Sequence, residues 1–458
     1  MSLAYFISKP TANNDVYNQL IASKYILSSF NFSTLGQHPI GIALIAVAIR
    51  IIGLDPLIVL YYVQPILVSF GFILIYRLLC SFLPQYTSFF IALNSMSSLI
   101  LIKSMNQVTA EIISLITLLV YLFYMWKKII VNKGNKDLDI IFLIFLAWIS
   151  ISMRNAAIFI VIGSLAYIYK KNIFSKLKTI IFSFFVILPG IIKSLFFYPQ
   201  ETYPDALFDF SAPKLFFIQF LKNLSRMTEI ILPYSQHLEE YIIIKIIITF
   251  SLLIFFIKIV YSSRISNDED KMILFSDFLL FVGIFYYLFL SISSLYYNYD
   301  WANLYRVSGF GLIFIIIPFW IYAFNYIQNW SNYILSILIL SALLKIGNGI
   351  RYELNNQEYR FLFQDYRQSV DNIISIADGN IDNIYVYAND SWQGTNLYYM
   401  LCYASDIGRI PMRIINTDGN NFFGNSMFLC YEKDYKKNNL TMDDIVIING
   451  HKIFYKMI

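Results

Sequence analysis

The sequence has 458 residues, of which 58% are hydrophobic, 18% are aromatic and only 14% are charged. Soluble domains carry about 25% charged residues, so this composition excludes an ordinary soluble enzyme and a disordered chain. The apolar residues form long runs, which indicates a polytopic α-helical membrane protein whose partner is the lipid bilayer. The net charge of +5 gives no reason to expect a nucleic acid partner, because the basic residues flank hydrophobic runs and there determine orientation.

Residues 1–56 precede the first long apolar run and hold two shorter segments. Asp15 opens the stretch DVYNQLIASKYILSSF, which predicts an amphipathic helix on an apolar surface. The apolar residues that recur in it at helical spacing are Val16, Leu20, Leu27 and Phe30. A second stretch, residues 39–54, follows His38, is 16 residues long and contains Arg50. It is short and charged for a membrane span, so we expect an interfacial or re-entrant helix at the outer surface.

Residues 57–346 contain apolar runs of the length that crosses a bilayer, roughly 17–25 residues. Eight runs lie near 57–79, 85–102, 108–126, 179–197, 241–261, 272–296, 303–323 and 329–346. The stretch 138–169 holds two shorter spans that meet at Arg154, which gives about ten membrane helices. One polar loop, 198–240, interrupts the series.

The basic residues fall mainly on one side of these spans. Connections on that side hold eleven of them, namely Lys127, Lys128, Lys133, Lys136, Lys170, Lys171, Lys176, Lys178, Lys258, Arg264 and Lys271. Short connections on the opposite side hold three, namely Lys103, Arg154 and Arg306. By the positive-inside rule the first side is cytoplasmic. The N-terminal segment, the 198–240 loop and the tail are therefore expected outside.

The tail, residues 347–458, differs in pattern from the membrane region. Short apolar runs (IYVYA, PMRII, IVIING, KIFYKM) alternate with a helix-like stretch (GTNLYYMLCYA), which predicts a small α/β domain. A tail of about 110 residues can bury one modest hydrophobic core. The predicted fold class is a polytopic α-helical membrane protein with a small extracytoplasmic α/β domain at its C-terminal end.

Six polar residues fall together on the outer side once this orientation is adopted. They are Asp15, His38, Glu111, Arg154, Asp300 and Arg306. Charged groups cost roughly 2.5–3.5 kcal/mol at mid-span, so we expect these in a water-filled cavity or against each other. Acids and arginines on one face favour a site for an anionic substrate with a general base.

These residues also have structural interpretations. Asn14 or Asp15 can simply cap the helix that begins there, and Glu111 lies where an acid stabilises a helix N-terminus. The histidine before the interfacial helix can serve a loop hydrogen bond, and Asp300 and Arg306 can form a structural ion pair. Arg154 lies where basic residues are scarce, so an anionic partner explains it better.

In this order the segments resemble the GT-C glycosyltransferases that use polyprenyl-phosphate sugars. The bacterial group with the O-mannosyltransferases and the 4-amino-arabinose transferases is the most similar branch. Members typically begin with an external loop that carries an acid and a tyrosine, then a His-Pro or Pro-Pro helix. Here Asp15 and Tyr17 match the loop, and His38 with Pro39 matches the helix start.

The remaining matches follow in the same order. Glu111 in VTAEIISL matches the acid that opens a span of the family, and Arg154 in MRNAAIFI matches its arginine, with Asn155 in place of a proline. Arg306 in LYRVSG matches a late arginine near an external span end. The resemblance covers roughly residues 13–325, and many members carry a small external domain like the tail.

The resemblance implies transfer of a sugar from a polyprenyl-phosphate donor to a hydroxyl of a glycan, lipid or protein acceptor. Asp15 would take the hydroxyl proton, and Arg154 and Arg306 would bind the leaving phosphate. Further site candidates are Tyr17, His38, Glu111 and Asp300. No cofactor is implied, and the scattered Cys and His residues give no support for a metal. The expected location is a bacterial inner membrane, with the active site outside the cytoplasm.

Two other classes of protein also handle lipid-linked sugars. A flippase or transporter usually shows paired halves or inverted repeats, and none is visible in this sequence. A polysaccharide polymerase or ligase has its main external loop late in the chain, whereas here an early acidic segment and the tail are external. Transferase is the favoured hypothesis, and the other two remain open.

Overall fold

The chain is mostly helical and ends in a small sheet. The computed structural model describes residues 14–32, 39–97, 108–132, 137–174, 176–196, 220–221, 226–232, 242–266, 271–297, 310–326, 331–355, 366–377, 381–387, 392–407, 410, 412–417, 426–431, 444–448 and 451–457. Within these ranges it contains fourteen α-helices and one five-stranded sheet.

The described residues divide into two compact units. The first, which we call the N/C unit, comprises those of Met1–Pro65, Met105–Ala110 and Arg351–Ile458. The second, which we call the helical unit, comprises those of Ile66–Ser104 and Glu111–Ile350. The N-terminal segment and the tail therefore belong to one unit, although the whole membrane region separates them in sequence.

Two short helices begin the N/C unit. Helix α1 spans Asn14–Ser29, and helix α2 spans Gly41–Ile51. At 1.5 Å per residue α2 is only about 16 Å long, which agrees with an interfacial helix and not with a span. After α2 the chain turns through Gly53, whose φ of 79° lies in the left-handed region that glycine tolerates.

The buried face of α1 follows only half of the predicted stripe. Val16 and Leu20 are buried as expected, but Leu27 is 43% exposed and Phe30 is 81% exposed. The reason is that α2 covers the other side of the C-terminal half, where Ile26 is buried. Phe30 also lies beyond the end of the helix, with a φ of 51°, so it no longer follows the helical spacing.

Ten of the described helices lie within residues 56–355. They are α3 Pro56–Leu79, α4 Gln85–Met96, α5 Ala110–Tyr124, α6 Asp137–Met153, α7 Ala157–Lys170, α8 Lys176–Phe196, α9 Ile242–Ser266, α10 Lys271–Tyr297, α11 Ile313–Tyr326 and α12 Ser331–Asn355. A π-helix, Met125–Val131, continues α5, and a 3₁₀ helix, Arg226–Ile230, lies in the predicted external loop.

Four helical segments in the described chain are long and apolar enough to cross a membrane. They are Pro56–Leu79, Ala110–Val131, Lys271–Ser293 and Ser331–Arg351. Shorter apolar helices include Ala157–Lys170 and Ile313–Tyr326. A polytopic helical architecture is therefore observed, while the full set of ten spans stays a prediction.

The helix boundaries confirm one prediction and test part of another. The chain does break at Arg154, because α6 ends at Met153 and α7 begins at Ala157. Helix α4 ends at Met96, and residues 98–102 of the span predicted over 85–102 lie outside the described residues. Ser97 follows the last residue of α4, and the Ser97 side-chain oxygen donates a hydrogen bond to the Leu93 carbonyl (2.5 Å).

The tail forms the α/β fold that its sequence pattern predicts. Two helices, α13 Tyr366–Ile376 and α14 Trp392–Asp406, accompany strands β1 Asn383–Tyr387, β2 Arg413–Thr417, β3 Ser426–Tyr431, β4 Asp444–Ile448 and β5 His451–Met457. The strand order is β2-β1-β3-β5-β4. Strand β1 pairs in parallel with β2 and with the central strand β3, and β5 pairs antiparallel with β3 and β4.

The core of this domain lies on both faces of the sheet. One face carries a cluster of Tyr385, Tyr387, Phe428 and Cys430. The alternate residues of the same two strands, such as Ile384 and Leu429, are fully buried on the other face. Because successive strand residues point to opposite faces, this burial explains the unbroken apolar runs in β1 and β3.

Candidate active site

Glu111 and Arg154 meet in a buried ion pair within the helical unit. Arg154 Nη1 lies 2.7 Å from Glu111 Oε1, and the two side chains are only 17% and 6% exposed, respectively. Glu111 is in the first turn of α5, where the helix dipole favours a carboxylate. Two of the residues singled out from the sequence are thus brought together, 43 positions apart.

The break between α6 and α7 is what presents Arg154 to this acid. The backbone N–H of Arg154 still donates to the Ser150 carbonyl (3.0 Å), so Arg154 ends the last turn of α6. The chain then turns through two residues and starts α7 at Ala157, whose N–H donates to the Arg154 carbonyl (3.0 Å). Ser114 Oγ also donates to the Ser150 carbonyl (2.9 Å), which holds α5 against α6 below the pair.

The Arg154 guanidinium has capacity beyond this ion pair. A guanidinium has five N–H donors, and in the described part of the chain its side-chain hydrogen bond goes to Glu111 alone. Tyr286 in α10 is fully buried and lies within electrostatic range of both charged groups. A buried cation held by one carboxylate, with donors to spare, is suited to binding an oxyanion.

Asp15 and Tyr17 both lie in α1 of the N/C unit. Asp15 is the second residue of the helix, which confirms that it opens a helix, although its side chain lies outside the part described. Tyr17 is fully buried, and its ring centroid lies 5.8 Å from that of Tyr403 in α14. The observed role of Tyr17 is therefore packing between α1 and α14.

Three other candidates, His38, Asp300 and Arg306, lie outside the described residues. Their predicted roles remain predictions.

A buried lysine that the sequence analysis overlooked lies in α12. Lys345 is 4% exposed, and its Nζ donates to Asn94 Oδ1 (2.7 Å) and to the Ile230 carbonyl (3.2 Å). Asn94 in turn donates to Ser341 Oγ (2.8 Å), which donates to the Ile231 carbonyl (2.5 Å). This network ties the end of the 3₁₀ helix to α4 and α12.

A signal for Lys345 was present in the sequence. A lysine inside the apolar run LILSALLKIGNGI is costly in lipid and marks a buried or functional position. Within the described ranges, no three His, Cys, Asp or Glu side chains converge as metal ligands.

Comparison with known proteins shows the fold. No family profile matches the sequence, and no curated protein matches it. One of the solved structures that match has the same fold over nearly the whole length of this chain. That structure is ArnT from Cupriavidus metallidurans bound to undecaprenyl phosphate, with a TM-score of 0.52 at 9% identity, over 99% of this chain and 96% of that chain.

The apo state of the same ArnT matches equally well, with a TM-score of 0.52 at 9% identity over 100% of this chain and 96% of that chain. The fold expected from the resemblance to GT-C glycosyltransferases is therefore confirmed. Together with the long apolar helices, it makes the chain an integral membrane protein. At this identity the likeness concerns the fold alone.

Proposed function

We propose that this protein is a membrane glycosyltransferase that moves a sugar from a polyprenyl-phosphate donor to an acceptor hydroxyl outside the cytoplasm. The observation that carries the proposal is the buried Glu111–Arg154 pair at a helix break. The fold also supports the proposal, because the ArnT structure with the same architecture contains undecaprenyl phosphate. A polyprenyl phosphate would be the leaving group of the proposed reaction.

The proposed chemistry is a displacement at the anomeric carbon. The acceptor oxygen forms a bond to that carbon while the bond from carbon to the phosphate oxygen breaks, and the phosphate keeps the electron pair. The hydroxyl proton passes to the Asp15 carboxylate, a general-base contribution of about 10²–10⁴-fold. Arg154, with Arg306 as the second proposed cation, stabilises the charge that grows on the leaving phosphate.

Glu111 has a distinct role in this scheme. Its carboxylate keeps the Arg154 side chain in one orientation at a buried position, so the free guanidinium donors are already directed when the donor arrives. Because the side chain is already oriented, donor binding loses less conformational entropy. His38 and Asp300 are candidates for the acceptor side, and a glycan, a lipid or a protein could supply the hydroxyl.

The first test replaces the proposed base. Asp15→Asn should keep α1, because asparagine has nearly the size of aspartate and Asp15 is the second residue of the helix, yet transfer should fall by at least about 100-fold. The assay uses the purified protein in liposomes with radiolabelled polyprenyl-phosphate sugars, and it measures released polyprenyl phosphate together with labelled acceptor from envelope extract. Transfer at the parent rate by the asparagine variant would show that Asp15 is only a cap.

The second test concerns the phosphate. Arg154→Lys replaces a planar two-pronged donor by a point charge, so we expect undecaprenyl phosphate to bind roughly 10-fold more weakly, the loss of about 1.4 kcal/mol. Arg77→Lys is a matched control, because Arg77 is an exposed arginine in the last turn of α3. Equal affinity of both variants and the parent for undecaprenyl phosphate would contradict the assignment of Arg154.

A further inference from the structure

The C-terminal helix α14 ends in a buried acid that binds two cations of the N-terminal segment. Asp406 is the last residue of α14, and its side chain is 6% exposed. Its Oδ2 lies 2.6 Å from Arg50 Nη2 in α2, and its Oδ1 lies 3.0 Å from Lys24 Nζ in α1. One carboxylate of the α/β domain therefore holds both N-terminal helices.

Arg50 extends this connection to the backbone of α1. Its Nε donates to Ser23 Oγ (2.7 Å), and its Nη2 donates to the Leu20 carbonyl (3.0 Å) as well as to Asp406. The Arg50 side chain is only 13% exposed. A buried guanidinium needs such partners, which explains why an arginine occurs in the otherwise apolar helix α2.

A second set of contacts lies one turn earlier in α14. The Tyr403 hydroxyl donates to Asp55 Oδ1 (2.6 Å), which also accepts the backbone N–H of Leu57 (3.0 Å) in the first turn of α3. The Tyr403 ring packs on Tyr17, near the start of α1. Helix α14 thus contacts α1 at two points and contacts the residues that follow α2.

From these contacts we infer that Asp406 is a positioning residue, and that the C-terminal α/β domain fixes the helix that presents Asp15. The catalytic part of this inference rests on the proposed function. Leu20 and Tyr17 lie within five residues of Asp15, about 7.5 Å along a rigid helix. Contacts at those residues therefore fix the helix backbone from which Asp15 projects.

The physical consequence of losing Asp406 follows from charge. Asp406→Asn keeps the size of the side chain but leaves Arg50 buried without a negative partner, which is strongly unfavourable. Arg50 is then expected to move toward water and to release Leu20 and Ser23. A displacement of about 1 Å at a catalytic group can cost about 10²-fold in rate.

The experiment measures two quantities separately, the hydrogen-exchange protection of α1 and the rate of the reaction. In Asp406→Asn, we expect backbone amides 16–29 to exchange hydrogen at least about 10-fold faster. In the same full-length protein we expect kcat to fall at least about 10-fold while KM for the donor changes less than about two-fold. Asp382→Asn is the matched control, an exposed acid of the same α/β domain, and it should change neither quantity.

Two further variants separate positioning from general loss of folding. Asp406→Glu keeps the negative charge and should retain most of the parent kcat. Arg50→Gln added to Asp406→Asn removes the unpaired buried charge and should recover part of the lost protection in α1, as a double-mutant cycle reveals.

Each outcome has a defined meaning. Unchanged exchange in α1 overturns the inference at its structural step, and faster exchange with an unchanged kcat overturns its catalytic step. If the parent protein transfers no sugar at all, the proposed function fails, while the exchange measurement still decides whether Asp406 fixes α1.

Discussion

The thiol of Cys402 stands one turn before Asp406 and offers a chemical probe of this part of α14. Burial raises the pKa of the Cys402 thiol to about 11, and the negative charge of Asp406 adds to the rise, while a hydrogen bond with Tyr398 opposes it. Only the thiolate reacts with alkylating reagents. The reaction at Cys402 is therefore expected to be slow near neutral pH and to speed up toward pH 11.

Alkylation followed by peptide mass mapping tests this expectation. At pH 8 we expect Cys402 in the folded protein to react at least about 10-fold more slowly than in the unfolded chain, whose thiol pKa is about 8.5. Because the folded pKa is the higher one, the unfolded chain loses its proton first, so this thiol lowers stability as pH rises from about 8.5 to 11. Alkylation at equal rates in both states would contradict the buried placement.

At the scale of single residues, some contacts could be predicted from the sequence and others could not. The cost of lone charges in a membrane predicted that the polar residues would lie in a water-filled cavity or against each other, and Glu111 and Arg154 do meet in an ion pair. Their outward position stays a prediction. The partners of Arg50 and Lys345 could not be predicted, since both side chains bind groups that are far away in the sequence. Arg50 and Asp406 are 356 positions apart, and no local pattern records that they meet.

At the scale of elements, the packing of α10 on α11 depends on a glycine. An added Cβ at Gly283 would lie 2.8 Å from Ile315 Cγ1 and 3.2 Å from the Phe314 carbonyl oxygen. The Phe314 oxygen belongs to the backbone and cannot rotate out of the way as a side chain can. Small residues are common where membrane helices approach closely, so this glycine allows the two helices to touch.

Gly283→Ala is therefore expected to destabilise the helical unit by about 1–3 kcal/mol, as overpacking does. Gly347→Ala is the control, because nothing lies within 4 Å of the added Cβ in α12. That substitution should leave stability unchanged or raise it by up to about 1 kcal/mol, since alanine favours a helix. Thermal unfolding in detergent measures both, and a Gly283→Ala midpoint equal to that of the parent would exclude the close approach.

The helices themselves were predictable to different degrees. Long apolar runs gave the limits of α3 within one residue, and the polar interruption at Arg154 gave the break between α6 and α7. The end of α4 at Met96 was not predicted, because apolar residues continue past Ser97 in the sequence. The stripe on α1 failed at Leu27 because another helix covers the neighbouring side.

At the scale of the whole molecule, hydropathy was sufficient for the fold class and insufficient for the grouping of segments. The alternation of short strands with a helix predicted the α/β domain, and its mixed sheet is observed. That the same domain would join the N-terminal helices in one unit follows from side chains such as Asp406 and Tyr403. The residues next to them in the sequence are typical of a solvent-exposed helix end, so the sequence does not indicate these contacts.

The orientation in the membrane gives the last prediction. With eleven basic residues in one set of connections and three in the other, the positive-inside rule puts the tail outside the cytoplasm. Alkaline phosphatase fused after Ile458 should be active, because it folds only outside, and a green fluorescent protein fused there should stay dark. Fusions truncated after Lys171, in a connection rich in lysine, should show the reverse. Bright fluorescence of the fusion at Ile458 would show the opposite topology. Glu111 and Arg154 would then face the cytoplasm, where no external acceptor could reach them.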